Sequence, residues 1–538
     1  LTPSQVQTPA WVTGGLPAGA IRLVGTPQHP SKNANDWHPW NFAPRIGVAY
    51  QLTPKAVIRG SYSMLYLPTS GGLQSFAESP GINYTAQANS GPQQGQGQTV
   101  SVPQTGLQNL QMPFVDPAVQ ITQPTRDNLT ANYLASNLGQ TSSGAISRYL
   151  HMPRESDWSL GIQYQLPWSV LVEAAYEGNH SGSLLAKDTP SRFPKSLYTG
   201  GPSGANASIY TTMVANPFQG QGSSNGAKVS LGALENLWPY FGLFQVQGVN
   251  AGTSNFNALN LRLQKRFSNG FQLLFNYTYS HLIDDVGGSD SGLGAGPASG
   301  YGQFGVIPQS VDTFRSTYSA DGSDQTHRIS SFYDYQLPIG RGRKFLGSPD
   351  GLGAKVLDGF IGGWEISGNT VWHSGTPVIW GFPVTNQGSY GVFEQYASFA
   401  PGTGLNNLIN TGFSNPSQAR VGPNGPTSTT VAGFNKAPFQ LDPSTSKAAL
   451  FTYGNIPAVF TRMRNPGSWN SNLSILKSFP LFSSDGKRYL QFRMEALNIF
   501  NHPGFGTYDA NVSDGNFGLI TGTANLERHM QLALKLVF

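Results

Sequence analysis

The chain has no cysteine among its 538 residues, which removes disulfides, thiolate zinc sites and cysteine nucleophiles together. Charge is scarce as well. Asp, Glu, Lys and Arg are 11% of the sequence, against roughly 25% in ordinary soluble domains. The net charge of +5 is spread thinly, with no basic patch to hold nucleic acid. No apolar run reaches the length of a transmembrane helix, about 18 residues. Leu1 opens a Pro/Gly-rich stretch with no basic segment followed by an apolar one, so no signal peptide is read there.

What the chain has is uncharged polarity, 65 glycines and 12% aromatic residues. Apolar residues are plentiful enough to exclude general disorder. They recur with period 2, the spacing that separates the two faces of a strand. Ile46, Val48, Tyr50 and Leu52 alternate with Gly47, Ala49 and Gln51. The same pattern covers Ile58–Tyr66, Trp158–Leu166, Val170–Glu177, Leu259–Gln264, Phe271–Ser280, Tyr333–Leu337, Trp364–Trp372, Asn472–Ile475, Leu490–Glu495 and Met530–Phe538. Eleven strands are therefore predicted.

Their connections alternate in length. Thr53–Ala56, Pro167–Ser169, Ser268–Gly270 and Pro480–Gly486 are short, and Pro338–Asp358 is an intermediate turn carrying Arg341, Arg343 and Lys344. Between the hairpins lie long loops: Pro68–Ser156, Asn179–Ser254, Asp284–Thr326, Ser374–Gly467 and Asn501–Asn525. Short turns on one side and long loops on the other describe an outer-membrane barrel. The expected fold is all-β, an antiparallel transmembrane β-barrel with long external loops. The closing strand supports this. Met530, Leu532, Leu534, Leu536 and Phe538 share one face, and Leu534, Leu536 and Phe538 read as the signal taken up by barrel-assembly machinery. Counting back from that strand makes residues 1–45 an external loop or truncated start and 46–538 the barrel portion. An odd strand number does not close in the usual way. The expectation is thus the C-terminal part of a larger barrel of 22 strands, the size of plugged transporters.

Several segments resemble the barrel of Oar-like TonB-dependent receptors, a group abundant in Acidobacteria. They are Asn41–Tyr50, Val57–Tyr62, Asn255–Phe267, Asn276–Ser280, Leu337–Arg343, Arg464-Asn-Pro-Gly-Ser-Trp-Asn470 and Leu490-Gln-Phe-Arg-Met-Glu-Ala-Leu-Asn-Ile-Phe-Asn-His-Pro503. The resemblance implies transport of a large solute across the bacterial outer membrane. It also implies an N-terminal regulatory-like domain, a plug and a segment contacting the TonB complex, none of which is read in these 538 residues. The expected partners are outer-membrane lipid, the barrel-assembly machinery, the TonB complex through that N-terminal region, and an unidentified solute. A structural or adhesive surface barrel and a passive pore stay open as alternatives.

Arg59, Glu173, Glu177, Arg262, Arg266, Glu365, Arg493, Glu495 and Lys535 occupy the polar positions of their strands and are expected to face the lumen, as a ligand path or as ion pairs within the wall. Trp158, Tyr277, Tyr279, Trp364 and Trp372 fall on the apolar face, where an interfacial girdle is favoured over sugar stacking. No catalytic constellation, cofactor site or metal site stands out, and an enzyme is not expected. Gly300–Gly305 matches G-x-G-x-x-G without the strand and helix that a dinucleotide site needs. His281, His327, His373, His502 and His529 are scattered. Asp284, Asp285, Asp290, Asp321 and Asp324 leave calcium open in one external loop, although their spacing is not that of an EF-hand.

Overall fold

The computed structural model describes residues 30–31, 40–67, 142–146, 151–188, 213–215, 227–230, 243–285, 319–320, 322–348, 350–380, 399–422, 425–440, 456, 459–480, 488–512 and 514–538. Eleven strands form one antiparallel meander, each hydrogen-bonded to the next in chain order. They are β1 (Arg45–Thr53), β2 (Ala56–Tyr66), β3 (Arg154–Leu166), β4 (Val170–Asp188), β5 (Leu243–Ser268), β6 (Phe271–Asp284), β7 (His327–Gln336), β8 (Trp364–His373), β9 (Ser468–Pro480), β10 (Tyr489–Leu497) and β11 (His529–Val537). All eleven segments of alternating sequence are strands. Several strands extend beyond the alternating segments, such as β7 back to His327 and β9 to Ser468–Pro480. The β4–β5 hairpin extends furthest, outward to Asp188 and Leu243, with register shifts beyond Gly182. The β7–β8 connection contains a helix, α1 (Gly351–Ile361).

Register fixes which side chains share a face. Across the hydrogen-bonded ladder, Ile58, Ile162, Ala174, Leu261, Tyr277, Ile329, Trp372 and Trp469 are successive partners. One residue along, the partners are Val57, Gln163, Glu173, Arg262, Asn276, Ser330, Val371 and Asn470. One face is thus nearly all apolar and the other predominantly polar. Among the described residues no layer covers the apolar face: Leu160 is 61% exposed, Leu532 67% and Leu534 69%. A strip this wide is far beyond the apolar patches that soluble monomers expose to water.

Two tight turns show how the short connections are made. Trp168 and Ser169 take φ of 60° and 62°, and Asn269 and Gly270 take 52° and 74°. Two consecutive left-handed residues give the turn whose twist matches that of the flanking strands. Aromatic rings also lie over cross-strand glycines on the apolar face. Trp158 pairs with Gly178, and Tyr333 pairs with Gly368. The nearest atoms a Cβ added at Gly178 would meet belong to the Trp158 indole. One added at Gly368 would meet the Tyr333 hydroxyl at 2.6 Å and the backbone carbonyl of Asn472 at 2.7 Å.

An indole can swing aside, whereas a ladder carbonyl cannot. Gly368→Ala is therefore expected to cost about 1–3 kcal/mol, in the range of overpacked sites, and Gly178→Ala less. Denaturant midpoints of the two refolded variants check this, and the opposite order would contradict the geometry.

Candidate functional site

Eight of the nine charged candidates come to one side of the sheet by register. Arg59 pairs with Gly161, Glu173 with Arg262, and Glu177 with Ala258. Glu365 lies opposite Gln336 and Leu476, Arg493 opposite Leu476 and Ala533, Glu495 opposite Ser474 and Gln531, and Lys535 opposite Gln491. All of these are polar-face positions. Arg266 stands at the bulge that ends β5. Contacts between them are sparse and local. Arg493 Nε is 2.9 Å from Glu495 Oε1 along the same strand, Arg262 donates to Gln264 Oε1 at 3.0 Å, and Gln336 donates to Glu365 Oε2 at 3.4 Å. Exposed pairs of this kind contribute at most about 1 kcal/mol, so the pairs themselves add little to the stability of the wall.

Toward the long-loop end of the same face, Asn179 donates to both Glu155 and Asp157, the latter at 2.6 Å, and Ser63 donates to Asp157 at 3.4 Å. Three side-chain atoms on the polar face, Asp334 Oδ1, Asn470 Oδ1 and Ser474 Oγ, are enclosed without a hydrogen-bond partner.

The hydrophobic core of the described residues lies in the long loops, not in the sheet. Trp380 is surrounded by Phe434, Phe439, Phe460 and Phe517, with ring centroids 4.8–6.0 Å away. Leu408, Ile456, Val512 and Ile520 complete a cluster drawn from the β8–β9 and β10–β11 loops. These two loops form a packed cap over one end of the sheet. Tyr508 is buried in it against Phe413 and Phe434, and burial pushes its hydroxyl pKa up to about 12.

A polar hub joins the cap to the sheet. Asp324 is fully buried. Its Oδ1 accepts the backbone N–H of Leu282 at 2.8 Å, and its Oδ2 accepts Arg464 Nη2 at 2.6 Å. Arg464 Nη1 also donates to the Asp324 and Gly375 carbonyls. His281 Nδ1 lies 3.6 Å from the same Oδ2. Asn465 accepts the N–H of Tyr508 and donates to Thr376 and Pro377. Asn498, at φ 50°, accepts the N–H of His502 and donates to the carbonyls of His502 and Leu526. Trp469 packs on Phe500 and His502. The two most distinctive sequence segments, Arg464–Asn470 and Leu490–Pro503, thus include the residues that seat the loops. That role was not visible in the sequence, because Arg464 and its carboxylate partner are 140 residues apart.

Of the acidic loop residues, Asp324 is engaged as described, and Asp285 accepts the N–H and hydroxyl of Thr253. Asp290, Asp321 and Gly300–Gly305 lie outside the described residues. Among the described residues no three His, Asp or Glu side chains gather as a metal site. The five aromatic candidates are on the apolar face. Trp364 and Trp372 stand eight residues apart on β8, about 27 Å along the strand, or about 20 Å along the membrane normal at the usual tilt, most of an apolar band about 25 Å tall. Tyr277 and Tyr279 neighbour His327, whose Nδ1 is 2.9 Å from the Tyr277 hydroxyl.

The family described as outer membrane beta barrel domain matches residues 2–531. No curated protein sequence matches the chain. Among solved structures, the outer membrane transporter YddB from Escherichia coli is 10% identical with a TM-score of 0.36, over 93% of this chain and 41% of its own. A mutant of the ferric enterobactin receptor PfeA from Pseudomonas aeruginosa is 10% identical with a TM-score of 0.35, over 93% and 40%. The FrpB iron transporter from Neisseria meningitidis is 9% identical with a TM-score of 0.35, over 92% and 39%. The chain spans about two fifths of the length of these structures.

Removing one partner of a buried ion pair typically costs about 3–5 kcal/mol. Arg464→Met should therefore loosen the cap, with faster amide exchange at Leu282 and Tyr508 and an unchanged strand ladder at Leu261. Exchange at wild-type rates at both sites would show that the hub does not seat the cap. Tyr508 gives a second check. Its folded pKa lies above the ordinary 10.0, so the folded cap prefers the protonated hydroxyl. Stability is full below pH 10 and falls as the pH rises from 10 toward 12. Tyr508→Phe should remove that alkaline loss, measured by cap amide exchange across the range.

Proposed function

The chain belongs to the outer membrane beta barrel domain family, and we propose that it forms the barrel wall and external cap of an Oar-like, TonB-dependent transporter that moves a large solute across the bacterial outer membrane. The observation that carries this reading is the open eleven-stranded wall with charged residues collected on its polar face. Among the described residues β1 and β11 each pair on one side only. In lipid such an edge leaves backbone groups unsatisfied at several kcal/mol each. Further strands beside β1 and β11 would satisfy them and give the wide lumen of a plugged transporter.

The work is binding and passage, with no bond chemistry assigned to the site. The cap, built from the loops on the outer side, is where a solute would first meet the protein. It is also the feature that supports a second reading, a surface-adhesive barrel.

Cells producing the full-length protein, with and without the energising inner-membrane partner, distinguish these readings. Across a panel of chelated iron, oligosaccharides and peptides, at least one solute should require both proteins for uptake. Uptake that persists without the energising partner would favour a passive pore. A panel in which no uptake depends on the protein, while cell adhesion does, would replace transport with adhesion. Reconstituted by itself with the energising partner, Leu1–Phe538 should show only passive leak.

A further inference from the structure

The β7–β8 connection departs from the simple short turn of its neighbours. It begins with an exposed basic segment, Arg341, Arg343 and Lys344, followed by Phe345, which is 55% exposed. It then forms α1. Leu352, Val356 and Phe360 recur every four residues, with Leu357 and Ile361 beside them, so one broad side of the helix is apolar. Lys355 and Asp358 occupy the opposite arc. No residue of α1 is buried, and Leu352 and Phe360 are 82% and 74% exposed.

Specific bonds tie this helix to the apolar face of the wall. Lys477 occupies an apolar-face position between Trp364 and Phe492 in the ladder. Its ammonium donates to the carbonyls of Phe360 and Gly362, and it lies 5.1 Å from the centroids of both the Trp364 and Phe479 rings. Trp364 Nε1 donates to the Phe360 carbonyl at 2.8 Å. A cation at a helix C-terminus complements its dipole and its unpaired carbonyls. The Asp358 carboxylate accepts the Arg341 N–H, which fixes the basic segment to the helix.

Two further features lie on the same face at the same end. An open apolar groove of about 390 Å³ is lined by Phe271, Tyr333, Tyr335 and Ile366. Lys265, also on the apolar face, turns its ammonium toward Ser268 at the turn, as a cation leaving the acyl layer for the headgroups does.

We propose that the β7–β8 connection is a membrane-surface anchor. The apolar side of α1 lies in the periplasmic leaflet beside the wall, and Arg341, Lys344 and Lys355 hold the phosphates of anionic phospholipids, while Arg343 is held by Gln336 on the polar face. The short-turn end of such a wall faces the periplasm, and the apolar side of α1 continues the lipid-covered face of β8 and β9. A one-sided apolar arc and flanking basic residues are features of helices that lie in the membrane interface. The inference rests on the membrane placement of the wall and does not depend on what the barrel transports.

These 538 residues contain no cysteine, so single labels can be placed in them once any cysteine elsewhere in the full-length protein is replaced by serine. The full-length protein is placed in phosphatidylethanolamine nanodiscs with or without phosphatidylglycerol. A fluorophore on Leu352→Cys or Phe360→Cys should be quenched by brominated acyl chains as strongly as one on Leu534→Cys. A fluorophore on Lys355→Cys should instead be quenched by aqueous iodide. If iodide reaches Leu352→Cys and Phe360→Cys as readily as Lys355→Cys while Leu534→Cys stays protected, the anchor is refuted and the helix faces water or a protein. If Leu534→Cys is also reached, the wall itself is misplaced and the anchor falls with it. Association of spin-labelled phosphatidylglycerol, relative to phosphatidylcholine, should drop by up to about fivefold in Lys344→Gln or Arg341→Gln, the effect expected of one basic residue at an anionic surface. Unchanged association in both variants would overturn the headgroup contact.

Discussion

In a bilayer no water reaches the strands, so each backbone N–H and C=O must find its partner on a neighbouring strand. That constraint organises the whole wall. It requires each strand to lie beside the next in an unbroken ladder, and the ladder then sets the register. Because side chains alternate, the register that places Leu261 beside Tyr277 also places Arg262 beside Asn276. A slip of one residue would send Arg262 to the acyl chains, where a midplane charge costs roughly 2–4 kcal/mol. The two lysines found on the apolar face lie near its short-turn end. Lys265 reaches Ser268 and Lys477 reaches the end of α1, so neither ammonium is left in the acyl layer without acceptors.

A wall built this way has little core of its own. Its apolar side chains meet lipid on one side, and its polar side chains face the lumen side. Close packing of apolar groups appears instead in the cap, where Trp380 and its surrounding phenylalanines assemble from two loops that are far apart in sequence. Two kinds of stabilisation therefore coexist. Backbone pairing and a favourable apolar solvent hold the wall, while burial away from water holds the cap.

These two sources explain what could be read from the sequence. The strands were legible because lipid and lumen impose a strict period of 2, seen in Phe271–Ser280 and Met530–Phe538. The outer part of the β4–β5 hairpin was not, because no unbroken period of 2 runs through it and the ladder itself shifts register beyond Gly182. Helix α1 was hidden by its brevity and by Gly351, Gly353 and Gly359, which read as a turn. The cap was the least legible. Phe434, Phe439, Phe460 and Phe517 follow no period, and their meeting is set by loop geometry. Of the candidate site, the shared face of the charged residues followed from alternation alone. The Asp324–Arg464 contact did not, because nothing local in either segment marks the other as its partner.

The hub sits where the two solvents meet, and its chemistry follows from that position. Apolar packing is a weak fastener at a boundary where one side of a side chain meets lipid and the other meets water or loop. Hydrogen bonds to fixed backbone groups keep their geometry in both surroundings. Asp324 takes the Leu282 N–H from β6, Arg464 takes the carbonyls of Asp324 and Gly375, and Asn498 takes carbonyls from both ends of the β10–β11 loop. Asp324 ties its loop to Leu282, which the ladder already holds in place, while Arg464 and Asn498 reach from strand ends to loop carbonyls just beyond them. The wall's register therefore sets the position of the cap as well. Any displacement of the cap relative to β6 and β9 must break a charge-assisted bond to a fully buried carboxylate, whereas a movement within the exposed loop surface need not.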